Sequence, residues 1–195
     1  MKRNFYKRLP VVVLFFVLAM QQGSSAAFVF SPEQLKRLFP EGATTQPADT
    51  SEYLVFDRTQ QKIGRAILSS PSADNIVGFF GPVPLLIGID LKGNITGVLL
   101  LENRETAEYV VQVENSGLLS QWDGLPAKEA LEKQVDAVSG ATLTSKAVIR
   151  TFQKRVSEDV QSHSGTGFSW IILFGGIVVL VALSLISKMR SNKKE

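Results

Sequence analysis

The 195-residue chain contains no cysteine and a single histidine, His163. The first absence excludes disulfides, cysteine-ligated iron–sulfur clusters and c-type haem; with only one imidazole left, the usual zinc and haem sites are closed as well. There is no Gly-Lys-Ser/Thr run, so no nucleoside-triphosphate P-loop is built. Basic excess is missing where it would matter. Of 21 Lys and Arg, four lie in the head (Lys2, Arg3, Lys7, Arg8) and four in the tail. That leaves thirteen in residues 27–164 against seventeen Asp and Glu, a formal charge of −4. The high overall pI belongs to the two ends, and the electrostatic footprint of a nucleic-acid binder is absent.

Long apolar runs are present only at those ends. A basic head, an apolar run from Val11 to Met20 and a small-residue exit ending at Ala27 have the layout of a secretory signal. Residues 1–26 are therefore expected to be removed, with an uncleaved anchor as the other reading. From Phe168 to Ile186 there are 19 consecutive uncharged residues, followed by Lys188, Arg190, Lys193 and Lys194. Such a run suffices to cross a hydrocarbon layer of roughly 30 Å, and the positive-inside rule places the basic tail in the cytoplasm. The expected organisation is a signal peptide (1–26), an extracytoplasmic domain (27–164, core 78–160), a single transmembrane helix (165–187) and a cytoplasmic tail (188–195).

Within the middle segment, Ser31-Pro32-Glu33-Gln34 is a helix start with a capping box, and that helix should end near Pro40-Glu41-Gly42. Ala43 to Thr50 reads as a loop. Tyr53–Phe56 and Arg65–Leu68 flank a polar turn. Val83–Ile89 and Ile95–Leu101 flank Gly93-Asn94, the chemistry of an antiparallel hairpin. Short helices are expected over Glu105–Val113 and Ala127–Gln134. An amphipathic helix from about Thr144 to Val160 follows from Val148, Phe152, Val156 and Val160 recurring every four residues. Strand pairs interleaved with helices predict an α+β fold: an antiparallel sheet of hairpins with packed helices, plus the C-terminal membrane helix.

The densest chemistry is Asp136-Ala-Val-Ser-Gly-Ala-Thr-Leu-Thr-Ser145, just before that last helix. Ser and Thr are good helix caps and Gly-Ala makes a tight turn, so an ordinary helix start is one reading. The other is a phosphate site. A helix N-terminus offers unpaired N–H groups and a positive dipole end, Gly140 permits close approach, and the hydroxyls of Ser139, Thr142, Thr144 and Ser145 can donate.

Asp136-x-x-Ser139-Gly140-Ala141-Thr142-Leu143-Thr144-Ser145 resembles the flavinylation motif of the FMN-binding domain family. That family occurs in Na⁺-translocating NADH:quinone reductase, in the Rnf complex and in membrane regulators of nitrous-oxide reduction and dehalogenation. The resemblance implies FMN joined by a phosphoester bond to Thr142, installed by a flavin transferase from FAD with Mg²⁺ that recognises Asp136. It extends upstream through Gly78-Phe-Phe-Gly81-Pro82 and Leu85–Asp90 to Glu105-Thr106, which is similar to a Glu-Thr pair lying near the flavin ring in relatives. Pump subunits continue that pair with Pro-Gly or Gly-Leu-Gly. Here Ala107-Glu-Tyr-Val110 follows and the anchor comes after the domain, both closer to the regulator type.

Trp122 and Tyr109 are candidates to stack on such a ring, although core positions are the commoner fate of aromatics. Glu102, Glu105 and Glu108 read as a solvated acidic face rather than a metal cluster, and His163 as an exposed linker residue. The expected function is a membrane-anchored electron carrier, part of a redox complex rather than a stand-alone enzyme. It would relay electrons between an integral membrane iron–sulfur or quinone-linked partner and an outside acceptor. The alternative is a non-redox assembly or sensing module with the same fold and no flavin. A Ser139 or Thr142 hydrolase lacks a base.

Overall fold

Ser31 opens the first helix with both halves of its capping box in place. The Gln34 amide donates to Ser31 Oγ at 3.1 Å and the Ser31 amide donates to Gln34 Oε1 at 2.9 Å. The computed structural model describes residues 28–164. The expected signal segment, membrane helix and basic tail fall on residues outside those described. Among the described residues, no helix is long and apolar enough to cross a membrane. The chain divides into two compact units. Of the first, residues 1–30, only Phe28–Phe30 is described; the two Phe rings meet edge-on, 5.0 Å between centroids. The second unit, from Ser31, carries the fold.

Its elements are α1 (Pro32–Leu38), β1 (Thr44–Pro47), β2 (Glu52–Phe56), β3 (Lys62–Leu68), β4 (Leu85–Asp90) and β5 (Ile95–Leu100), then α2 (Ala107–Asn115), a 3₁₀ turn (Leu119–Trp122), α3 (Ala127–Glu132) and α4 (Thr142–Ser164). The five strands form one antiparallel meander in chain order. This is the α+β fold with hairpins expected from the sequence.

Two corrections concern local structure. Thr44–Pro47, expected as a loop, is an edge strand paired with β2 from Thr44↔Phe56 to Pro47↔Tyr53. Its four residues are mostly exposed, so it shows no apolar alternation, and its proline is tolerated because an edge strand need not donate on both sides. The last helix begins at Thr142 and runs 23 residues to Ser164. His163 therefore lies in a helical turn, not in a linker.

Strand β4 alternates between two packing partners, because successive side chains point to opposite faces. Leu85, Ile87 and Ile89 join the core cluster with Val148, Phe152 and Val156 of α4. On the other face the sheet is hollowed by glycine so that α1 can sit close. A Cβ on Gly97 would lie 3.1 Å from Leu38, and one on Gly88 would lie 3.2 Å from the same side chain. Trp122 is fully buried and stacks on Phe152 at 3.9 Å and 11°, which settles it as core rather than a ring platform. The far end of α4 is tied to the sheet by ionic contacts. Arg65 donates to Asp159 through Nη2 at 2.5 Å and lies 3.7 Å from Glu52, while Arg155 Nε donates to the Leu68 carbonyl at 2.7 Å.

Candidate functional site

The segment before α4 is a turn locked by its own hydroxyls. The Ala141 amide donates to Val138 O at 3.1 Å, the Val138 amide donates to Ser145 Oγ at 3.0 Å, and the Ser145 hydroxyl donates to Ala141 O at 2.8 Å. Gly140 takes φ +86°, where a side chain is strained, and a Cβ there would stand 2.8 Å from Gln112 Oε1. The outcome is a helix start whose first residue, Thr142, stands exposed with its hydroxyl 3.5 Å from Val138 O.

Opposite stands the 77–82 loop. Val77 and Pro82 form a bridge, and the Gly78 amide donates to Gly81 O at 2.8 Å. Phe79 and Phe80 are thereby placed at an exposed tip, edge-on to each other at 4.7 Å. Phe79 also meets Tyr109 of α2 edge-on at 6.0 Å. Phe79, Tyr109 and residues 140–144 together line a cleft of about 220 Å³.

Beneath the cleft lies Glu105, only 8% exposed. Its Oε1 accepts the Phe80 amide at 2.6 Å and the Gly81 amide at 3.1 Å. Its Oε2 accepts the Phe79 amide at 2.9 Å and the Thr144 hydroxyl. Burial, the largest single influence, works against the charged form. The four bonds together, that of Thr144 first, outweigh it and hold the carboxyl below its ordinary pKa.

The residues singled out from sequence thus fall into three groups. Gly140, Ala141, Thr142, Leu143 and Thr144 line the cleft. Ser145 and Glu105 are buried supports, with Thr106 half-buried at the cap of α2 and bonding nothing through its side chain in that role. Asp136 and Ser139 are exposed on the approach to α4, outside the cleft lining. The hydroxyls of Thr144 and Ser145 are spent on Glu105 and Ala141, so of the four expected hydroxyl donors only Ser139 and Thr142 point to solvent. Glu102 and Glu108 are exposed, but Glu105 is no part of a solvated face.

Residues 78–157, which include every wall of this cleft, match the model of the FMN-binding domain family. Over these residues the chain is similar to an FMN-binding domain. Similar proteins include a subunit of the Na⁺-translocating ferredoxin:NAD⁺ oxidoreductase complex of Acetobacterium woodii, 26% identical over 60% of this chain and 58% of its own length. A second is a subunit of the ion-translocating oxidoreductase complex of Methanosarcina acetivorans, 29% identical over 64% of this chain and 72% of that protein. The crystal structure of Shewanella oneidensis NqrC overlaps 67% of this chain and 74% of its own at 19% identity, with a TM-score of 0.39. This chain thus spans a little under two thirds of the Acetobacterium protein.

The cleft fits FMN on three counts. The first turn of α4 offers backbone N–H groups to a phosphate. Gly140 bares its backbone on the cleft wall, with Gln112 Oε1 standing where a side chain would go. The exposed Thr142, first residue of that turn, lines the same cleft as the aromatic pair Phe79 and Tyr109. Gln112, which closes the floor under Gly140, was not visible to sequence reasoning, since no motif marks it.

Proposed function

We propose that this protein holds FMN by a phosphoester bond to Thr142 and serves as an extracytoplasmic, membrane-tethered electron carrier within a membrane redox complex. The observation that carries this reading is the exposed Thr142 hydroxyl at the head of α4, opening on a cleft walled by Phe79 and Tyr109. A flavin transferase can reach that hydroxyl, because Thr142 is exposed and its hydroxyl makes a long 3.5 Å bond to the Val138 carbonyl. Asp136, exposed six residues earlier, is available for the transferase to recognise.

When bound, FMN supplies one- and two-electron chemistry that no side chain here can perform. The chain's own share is position and exclusion. The α4 amides receive the phosphate, the Gly140 turn allows close approach, and Phe79, Tyr109 and Leu143 present apolar surface beside it. Its relatives are subunits of ion-translocating oxidoreductase complexes, which supports a partner in a complex of that kind. The tether is the apolar run from Phe168 to Ile186.

The test is in-gel fluorescence and intact mass of protein made alongside a flavin transferase, with Thr142→Ala in parallel. Covalent fluorescence in the parent that disappears in the variant is expected. Thr142 is exposed, so stability should change by no more than about 0.5 kcal/mol. A parent free of flavin despite an active transferase would move the function to a non-redox assembly or sensing module.

A further inference from the structure

Glu105 is bonded to Phe79 and Thr144, two residues that line the cleft in which FMN is proposed to sit. An ionised carboxylate has about four acceptor sites, and all four on Glu105 are filled by protein donors: the amides of Phe79, Phe80 and Gly81 and the hydroxyl of Thr144. A hydrogen bond to a flavin N–H would have to displace one of these. The two walls of the cleft are also joined only at this point among the described side-chain hydrogen bonds, since Phe79 belongs to one wall and Thr144 to the other.

We infer that Glu105 makes no bond to the cofactor and is instead a positioning residue. It clamps the Phe79–Gly81 loop to the first turn of α4 and fixes one negative charge behind the cleft. This rests on the FMN reading above and deepens it. The charge has a direct consequence for the cofactor site: a fixed anion opposes the arrival of electrons nearby, the more so in a buried setting. Glu105 therefore holds the reduction potential below the value that the same cleft would give with a neutral residue.

Two substitutions separate field from structure. Glu105→Gln keeps the shape and removes the charge; its NH₂ group, replacing Oε2, faces the Phe79 amide donor to donor. Thr144→Val keeps the charge but removes one donor that offsets it. Spectroelectrochemical titration of the flavinylated full chain should give a more positive midpoint potential for Glu105→Gln, and an equal or more negative one for Thr144→Val. Simple loosening of the cleft would move both in the same direction.

A second readout needs no flavin. Residue-resolved hydrogen exchange of the full chain made without transferase should find the Phe79 amide protected in the parent and unprotected in Glu105→Gln, while the Phe80 and Gly81 amides keep their Oε1 acceptor. An unchanged or lower potential in Glu105→Gln, or a Phe79 amide that stays protected in it, would overturn the proposal. Should Glu105→Gln not fold, a raised potential in Thr144→Val overturns it equally. A parent that takes up no flavin refutes the functional reading and the field with it, whereas the exchange data report on the clamp alone.

Discussion

Gly140→Ala is the substitution whose cost can be worked out most directly. Gly140 sits at φ +86°, and holding an L-residue in left-handed geometry costs about 1–2 kcal/mol. The new Cβ would also stand 2.8 Å from Gln112 Oε1. That atom is the free end of a flexible side chain on α2, so it can swing away at small cost, and the backbone dominates. For a domain of this size the sum corresponds to a fall in Tm of about 3–8 °C. Thermal unfolding followed by circular dichroism measures it. Adding Gln112→Ala should recover little of the loss, because it relieves crowding and leaves the backbone strained. Gly140→Asn should cost less than Gly140→Ala, since Asn tolerates the left-handed region better. Full recovery in the Gly140→Ala/Gln112→Ala pair would show that crowding, not φ, makes glycine necessary here. An undiminished Tm in Gly140→Ala alone would refute both terms.

Three further outcomes follow from geometry. Because the Glu105 carboxyl is held below its ordinary pKa, its contribution to stability is complete above the unfolded value of about 4.3 and is lost as pH falls through the folded value; the Tm-versus-pH curve of Glu105→Gln should be flatter below pH ~4 than that of the parent. Arg65→Leu leaves Asp159, 2% exposed, with only the His163 ring at 3.5 Å beside it as an ionic neighbour among the described residues, and should cost about 3–5 kcal/mol in urea unfolding; a loss under about 1 kcal/mol would mean that the pair is already hydrated. Phe152→Ala removes the ring stacked on Trp122 and should cost about 3–5 kcal/mol, with a change in near-UV circular dichroism from the exposed indole.

Periodicity and turn chemistry carry the fold where a segment has one buried and one solvated side. The hairpin around Gly93-Asn94 and the four-residue rhythm of Val148, Phe152 and Val156 are of this kind. Thr44–Pro47 is strand only because β2 offers it a ladder, a tertiary fact with no imprint on four mostly exposed residues. Glu105 shows the same limit at the site. Its spacing from Glu102 and Glu108 imitates a helical face, yet α2 begins only at Ala107, so the three carboxylates share no face. Its real partners lie 24 to 39 residues away in the chain and are mostly backbone amides. The turn at Ser139–Thr142 was legible because its residue types are dictated locally by a glycine at positive φ and a hydroxyl cap. Which hydroxyls remain free was not, since that depends on Glu105 arriving from elsewhere.

The 23-residue length of α4 sets a distance as well as a core. At 1.5 Å per residue, its two ends are about 35 Å apart. The cleft belongs to the first turn, and the described chain leaves from the last, next to the Arg65–Asp159 pair. The helix therefore works as a boom of fixed length. Inserting or deleting one turn of this helix would move the cleft about 5.4 Å along its axis relative to the last turn.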